Sequence, residues 1–217
     1  MRNSTQENQI NQPKKFSFSI TRWLISAGTW AIGIILSVVV AGFTSTHWGN
    51  LPSINDLILD RLPYYDLYFI GEMIFWVFLA ILFFLLWRNK QVDFNYIIFV
   101  IGLFYIIRPI FLLFMPIGHP IDAPLFEDRF HLYPPYAYFP SGHVGLTTIM
   151  VLFLPTQKMR LWFFIVLIIF SIGMLVTRAH YTADVIGGMV IAYALFVFCD
   201  RNIRAYWEKK AVLKQSQ

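Results

Sequence analysis

Six stretches of this sequence, 23–43, 67–87, 94–115, 143–155, 161–177 and 185–199, are apolar with at most one charged side chain each. A helix needs about 20 such residues to cross the ~30 Å hydrocarbon core of a bilayer. Hydrocarbon offers no water to backbone N–H and C=O groups, so runs of this kind must be helical. The fourth run is the shortest, and it approaches a crossing length only if its first turn starts at Pro140 or Ser141, at the membrane face. The composition agrees: 58% of the chain is apolar and only 13% charged, against about 25% charged in an ordinary soluble domain. A soluble globular domain, a disordered protein and a secreted disulfide module are excluded. The lone Cys199 has no internal disulfide partner and offers no cysteine zinc site. The expected fold is all-α, a six-transmembrane-helix bundle.

Charge sets the expected orientation. Arg2, Lys14, Lys15 and Arg22 precede the first run, Arg88 and Lys90 follow the second, Lys158 and Arg160 follow the fourth, and Arg201, Arg204, Lys209, Lys210 and Lys214 follow the sixth. In a six-span bundle all these segments share one side, which the positive-inside rule makes cytoplasmic, with both termini. The net charge of +5 therefore reports topology and some attraction to anionic head groups, rather than nucleic-acid binding. The expected organisation is a disordered cytoplasmic tail over 1–22, a catalytic membrane domain over 23–200 and a basic cytoplasmic tail over 201–217. The first run is too long for a signal-peptide core and reads as a retained span.

The chemistry collects on the opposite face. His47, His119, His131, His143 and His180 all fall there, as do Asp56, Asp60, Asp66, Asp122, Glu127, Asp128 and Asp184. The two outer connections, 44–66 and 116–140, are long, and long loops are usually the functional ones.

Three local patterns stand out. In Tyr138-Phe139-Pro140-Ser141-Gly142-His143, Ser141 is a natural N-cap. The N–H groups behind it suit a phosphate, and His143 lies in the first turn; an ordinary cap with an interface histidine is the plain alternative. In Arg178-Ala179-His180-Tyr181-Thr182-Ala183-Asp184, four-residue spacing puts His180 and Asp184 on one face if the segment is helical. The carboxylate would then fix the imidazole tautomer, and Arg178 offers a fork suited to phosphate oxygens. Its plain alternative has Thr182 as an N-cap and Arg178 as an interface anchor. Third, Arg108-Pro109 places a charge inside an apolar run, which calls for a polar cavity or a partner. Glu72 is one candidate partner and a bound phosphate another. Two histidines, two arginines, a carboxylate and a helix start on one face describe phosphoryl transfer through a histidine.

These residues resemble the type-2 phosphatidic acid phosphatase superfamily, whose motifs are K-x6-R-P, P-S-G-H and S-R-x5-H-x3-D. Pro140 to His143 matches the second motif in full, Arg108-Pro109 the end of the first, and His180 with Asp184 the end of the third. Ile101 stands in place of the first motif's Lys, and Arg178 lies two residues before His180 instead of six. The run His180-Tyr181-Thr182-Ala183-Asp184-Val185 is similar to the H-Y-T-x-D-V of the sphingomyelin synthase branch, and the outer loop from Leu51-Pro52 through Asp56, Asp60 and Pro63 loosely resembles a Pro/Asp-rich loop of that branch.

The resemblance implies a metal-independent enzyme without cofactors that acts on a phospholipid, with water or a lipid alcohol such as diacylglycerol or ceramide as acceptor. It implies His180 as nucleophile, Asp184 as its orienting carboxylate and His143 as acid and base. Arg108, Arg178, Ser141 and Gly142 would hold phosphate. The absent Lys favours a singly charged phosphodiester, while hydrolysis of phosphatidic acid or a polyprenyl (di)phosphate is the alternative. Two other classes compete. A membrane serine protease using Ser141 is disfavoured because His143 follows it by only two residues. A lipid transporter lacks paired repeats and mid-membrane helix breaks. The small size and short inner loops suit a bacterial inner membrane.

Overall fold

The structure is a computed structural model, and it describes residues 19–47, 51–89, 93–118, 120 and 139–213. Among the described residues it holds seven α-helices and no strand: α1 (Ile20–His47), α2 (Tyr68–Arg88), α3 (Phe94–Phe114), α4 (Gly142–Leu152), α5 (Gln157–Val176), α6 (Thr182–Asn202) and α7 (Arg204–Leu213). One turn of 3₁₀ helix, Leu59–Arg61, interrupts the connection between α1 and α2. Of the described helices, α1, α2, α3, α5 and α6 are long and apolar enough to cross a membrane. The fourth run yields only the 11-residue α4. At 1.5 Å per residue that is about 17 Å, roughly half a hydrocarbon thickness. α1 begins at Ile20, and α7 lies within the segment 201–217. Residues 1–18 and 214–217, together with His119, Asp122, Glu127, Asp128, Arg129, His131 and Tyr138, lie outside the described residues.

Side chains at the helix ends show which ends meet. At one end Asp93 caps α3 by accepting from Asn95 N at 3.0 Å. Its other carboxylate oxygen accepts from Arg22 Nη1 of α1 at 2.8 Å and from Trp207 Nε1 of α7 at 2.9 Å. The starts of α1 and α3 are thereby joined to the segment following α6. At the other end, the starts of α2, α4 and α6 gather with the ends of α3 and α5. Helices α1 to α6 alternate in direction, α3 and α5 running the same way with the short α4 between them, so the site motifs reach a single face of the bundle.

Close helix approach depends on small residues, the usual solution where lipid tails are as apolar as the core. α1 lies along α3 with Gly33 against Gly102. A Cβ on Gly33 would come 2.7 Å from Tyr105 Cβ, and one on Gly102 would come 2.6 Å from Trp30 N. Pro109 inside α3 cannot donate to the carbonyl four residues back, at Tyr105. Ser37 Oγ of α1 donates to that carbonyl at 3.2 Å instead. α4 and α6 meet at Gly145 and Gly188. A Cβ on Gly188 would lie 2.9 Å from Ser141 O, and one on Gly145 would collide with the ring of Phe104.

Candidate active site

Ser141 N-caps α4, its Oγ accepting from Val144 N at 3.4 Å. Its own N–H donates to the Asp184 carbonyl at 3.0 Å, tying the start of α4 to the start of α6. Gly142 and His143 follow as the first two helical residues, where every helix leaves orphan N–H donors. The buried Arg108 reaches this point from α3, Nε donating to the Pro140 carbonyl at 2.9 Å. A Cβ on Gly142 would lie 3.5 Å from Arg108 Nε, ordinary contact distance, so the guanidinium lies against the helix start.

His180 precedes the N-cap of α6. That cap is Tyr181 rather than Thr182, and Asp184 sits at the third helical position. The four-residue spacing is realised by the cap and not by a helical turn. Asp184 Oδ2 accepts from Tyr181 N at 2.9 Å and lies 3.4 Å from His180 Nδ1. A buried carboxylate on Nδ1 selects the tautomer with its proton there. The opposite nitrogen, Nε2, is then a lone-pair acceptor, 3.2 Å from Ser141 Oγ. Ser141, Asp184 and His180 are all buried.

His143 faces this pair, its ring centroid 6.1 Å from that of His180. Its side chain is 34% exposed, and its Nε2 lies 3.8 Å from Glu72 Oε1 of α2. The Phe75 ring, edge-on at 4.4 Å, fixes the other side. Glu72, expected as a candidate partner for Arg108, thus approaches His143. Sequence reasoning missed this neighbour, although a carboxylate in an otherwise apolar run is a signal of function in itself. His47 is far simpler: its Nδ1 lies 3.0 Å from the Phe43 carbonyl and its ring stacks on Phe43 within the same helix.

Arg178 closes the end of α5. It follows the C-cap Thr177 of α5, and its N–H and that of Ala179 donate to the carbonyls of Leu175 and Met174, both at 3.0 Å. This is a Schellman closure, which wants a left-handed residue, usually glycine, at the position Arg178 fills; its φ is 57°. One terminal nitrogen donates to the Leu59 carbonyl, the other to the Leu62 carbonyl at 3.0 Å. Both terminal nitrogens thus hold the outer loop, while the buried Nε makes no hydrogen bond among the described residues. The same loop is bound elsewhere. Ile54 N donates to Tyr181 Oη at 3.2 Å, Thr182 N donates to Asp56 Oδ2 at 2.6 Å, and Tyr65 N donates to the Val176 carbonyl at 3.2 Å.

An apolar groove of about 280 Å³ runs between α2 and α5, lined by Ile70, Gly71, Ile169, Gly173 and others. Its lining includes Glu72, whose Oε1 lies 3.8 Å from His143 Nε2, and Ala179, the residue before His180 in the chain.

Residues 125–198 match the family model PAP2_3, described as the PAP2 superfamily. The matched segment contains Ser141, Gly142, His143, Arg178, His180 and Asp184 and leaves out Arg108. It covers less than half of the chain and supports the superfamily resemblance carried by the motifs. No curated protein matches the chain.

Proposed function

We propose that the chain is a membrane-embedded lipid phosphotransferase or phosphatase that works through a phosphohistidine on His180. The observation that carries this reading is the pair of imidazoles, 6.1 Å apart, set between a buried arginine and the open start of α4. In the first step the Nε2 lone pair of His180 attacks phosphorus and the bond to the leaving alkoxide breaks. His143 gives that alkoxide a proton. In the second step His143 takes a proton from water or a lipid alcohol. The oxygen then attacks phosphorus and His180 leaves. Asp184 holds Nδ1–H and stabilises the charge that develops on the ring, and Glu72 Oε1 lies 3.8 Å from His143 Nε2.

Arg108 and the N–H groups after Ser141 would hold the phosphoryl oxygens as charge builds on them. Ile101 is buried in place of the family's Lys, and Arg178 is engaged with the loop. One fixed positive charge then faces the phosphate, which suits a singly charged phosphodiester and transfer to diacylglycerol or ceramide, as in the sphingomyelin synthase branch. The groove between α2 and α5 offers the lipid tail a path from the bilayer. In the full topology α4 and the residues to 156 complete a sixth crossing, with both termini cytoplasmic and the site in the outer leaflet.

The test is purified protein in vesicles with a phospholipid panel, with and without diacylglycerol or ceramide. A new phospholipid marks transfer, and free phosphate or head group marks hydrolysis. Either product should disappear in His180→Ala while the protein stays folded; wild-type turnover in that variant would overturn the reading.

A further inference from the structure

We infer that Asp56, in the outer loop between α1 and α2, is a positioning residue for His180; the inference rests on the reading of His180 as the nucleophile. The carboxylate acts as a bridge. Its Oδ1 accepts from Ile58 N at 3.1 Å and Leu59 N at 3.0 Å, folding the loop into its 3₁₀ turn. Its Oδ2 crosses to α6 and accepts from Thr182 N at 2.6 Å.

The consequence lies at the start of α6, where the first N–H groups have no partner within the helix. Asp184 at the third position is the natural local acceptor for them. It already accepts from Tyr181 N with the same oxygen, Oδ2, that faces His180 Nδ1. With the Thr182 donor supplied from the loop, Asp184 Oδ2 stays on Tyr181 N and His180. Without Asp56 the Thr182 N–H would compete for Asp184, pulling the carboxylate off the imidazole and releasing its tautomer. The loop is independently pinned through Arg178 and Tyr181, so Asp56 is not its only attachment. A small displacement of an orienting group is enough to cost catalysis heavily.

The experiment compares wild type, Asp56→Ala, Asp56→Asn and Asp60→Ala as full chains in nanodiscs. It reads steady-state kinetics and the ring ¹⁵N and N–H resonances of His180, identified by their loss in His180→Ala. Asp60 Oδ2 accepts from Asp56 N at 3.0 Å within the loop, so its removal loosens the loop without touching Thr182. Asp56→Ala should lower kcat on the order of tenfold or more with KM unchanged, and shift the His180 signals from the Nδ1-protonated form toward a tautomer mixture. Asp56→Asn, which keeps an acceptor, should lie between. Asp60→Ala should leave the His180 signals in place. Unchanged His180 signals in Asp56→Ala, or an equal change in Asp60→Ala, would overturn the inference. A wild-type protein inactive on every lipid would instead overturn the phosphotransfer reading, while the resonances still decide the role of Asp56.

Discussion

Arg178 adopts a left-handed backbone that costs an ordinary residue about 1–2 kcal/mol, and glycine would remove that cost. Arginine there gains its clamp on the Leu59 and Leu62 carbonyls. Arg178→Gly should therefore relax the closure of α5 yet free the outer loop, seen as faster proteolysis between residues 51 and 67 with little loss of thermal stability. At the reaction centre, His143→Ala should lower turnover by about 10²- to 10⁴-fold, the usual worth of a positioned general acid and base. Asp184→Asn should cost up to about 10⁴-fold, because an amide no longer selects the Nδ1–H tautomer. Both are read from initial rates on the preferred lipid. Ser141, Gly142 and His143 were legible in the sequence because a cap and its first turn are contiguous. The use of Arg178 was not, since it depends on a backbone conformation and on carbonyls more than a hundred positions away. The approach of Glu72 to His143 likewise depends on how two helices face each other.

Among the elements, the short α4 carries the most constraint. Its start holds Ser141 and His143, and its flank meets α6 at Gly145 and Gly188, where a side chain would strike Phe104 or the Ser141 carbonyl. Gly188→Leu should destabilise by about 1–3 kcal/mol through overpacking. It should also separate His143 from His180, so activity falls further than the melting temperature alone accounts for. The loop before α2 should respond to acid. Burial pushes the Asp56 carboxyl up, but the N–H groups of Leu59, Thr182 and Ile58 outweigh it and hold the net value below the ordinary one. A carboxyl lowered in the folded state contributes full stability above its unfolded value, near 3.9, and loses it as pH falls through the lower folded value. Acid should therefore release the loop, and Asp56→Asn should flatten that acid limb in melting curves taken against pH. The long helices could be read directly from their apolar runs. The length of α4 could not, because Phe153 and Leu154 turn out of the helix despite their apolar character.

At the scale of the whole molecule, the bundle brings the starts of α2, α4 and α6 to one face and leaves a groove between α2 and α5 whose lining includes Glu72, the neighbour of His143. Gly71 and Gly173 line that groove with open space where a Cβ would stand. Gly173→Phe should fold normally, retain hydrolysis of a short-chain phosphoester and lose most turnover of a long-chain one, as measured with substrates differing only in tail length. The central claim is a covalent bond between phosphorus and His180, and chemical trapping tests it most directly. The protein is mixed with a phospholipid carrying radiolabelled phosphorus, quenched in alkali and digested. The expected result is an acid-labile, alkali-stable label on the peptide containing His180, absent from His180→Ala. Turnover with no label on that peptide, or with an acid-stable label on Ser141, would contradict the account.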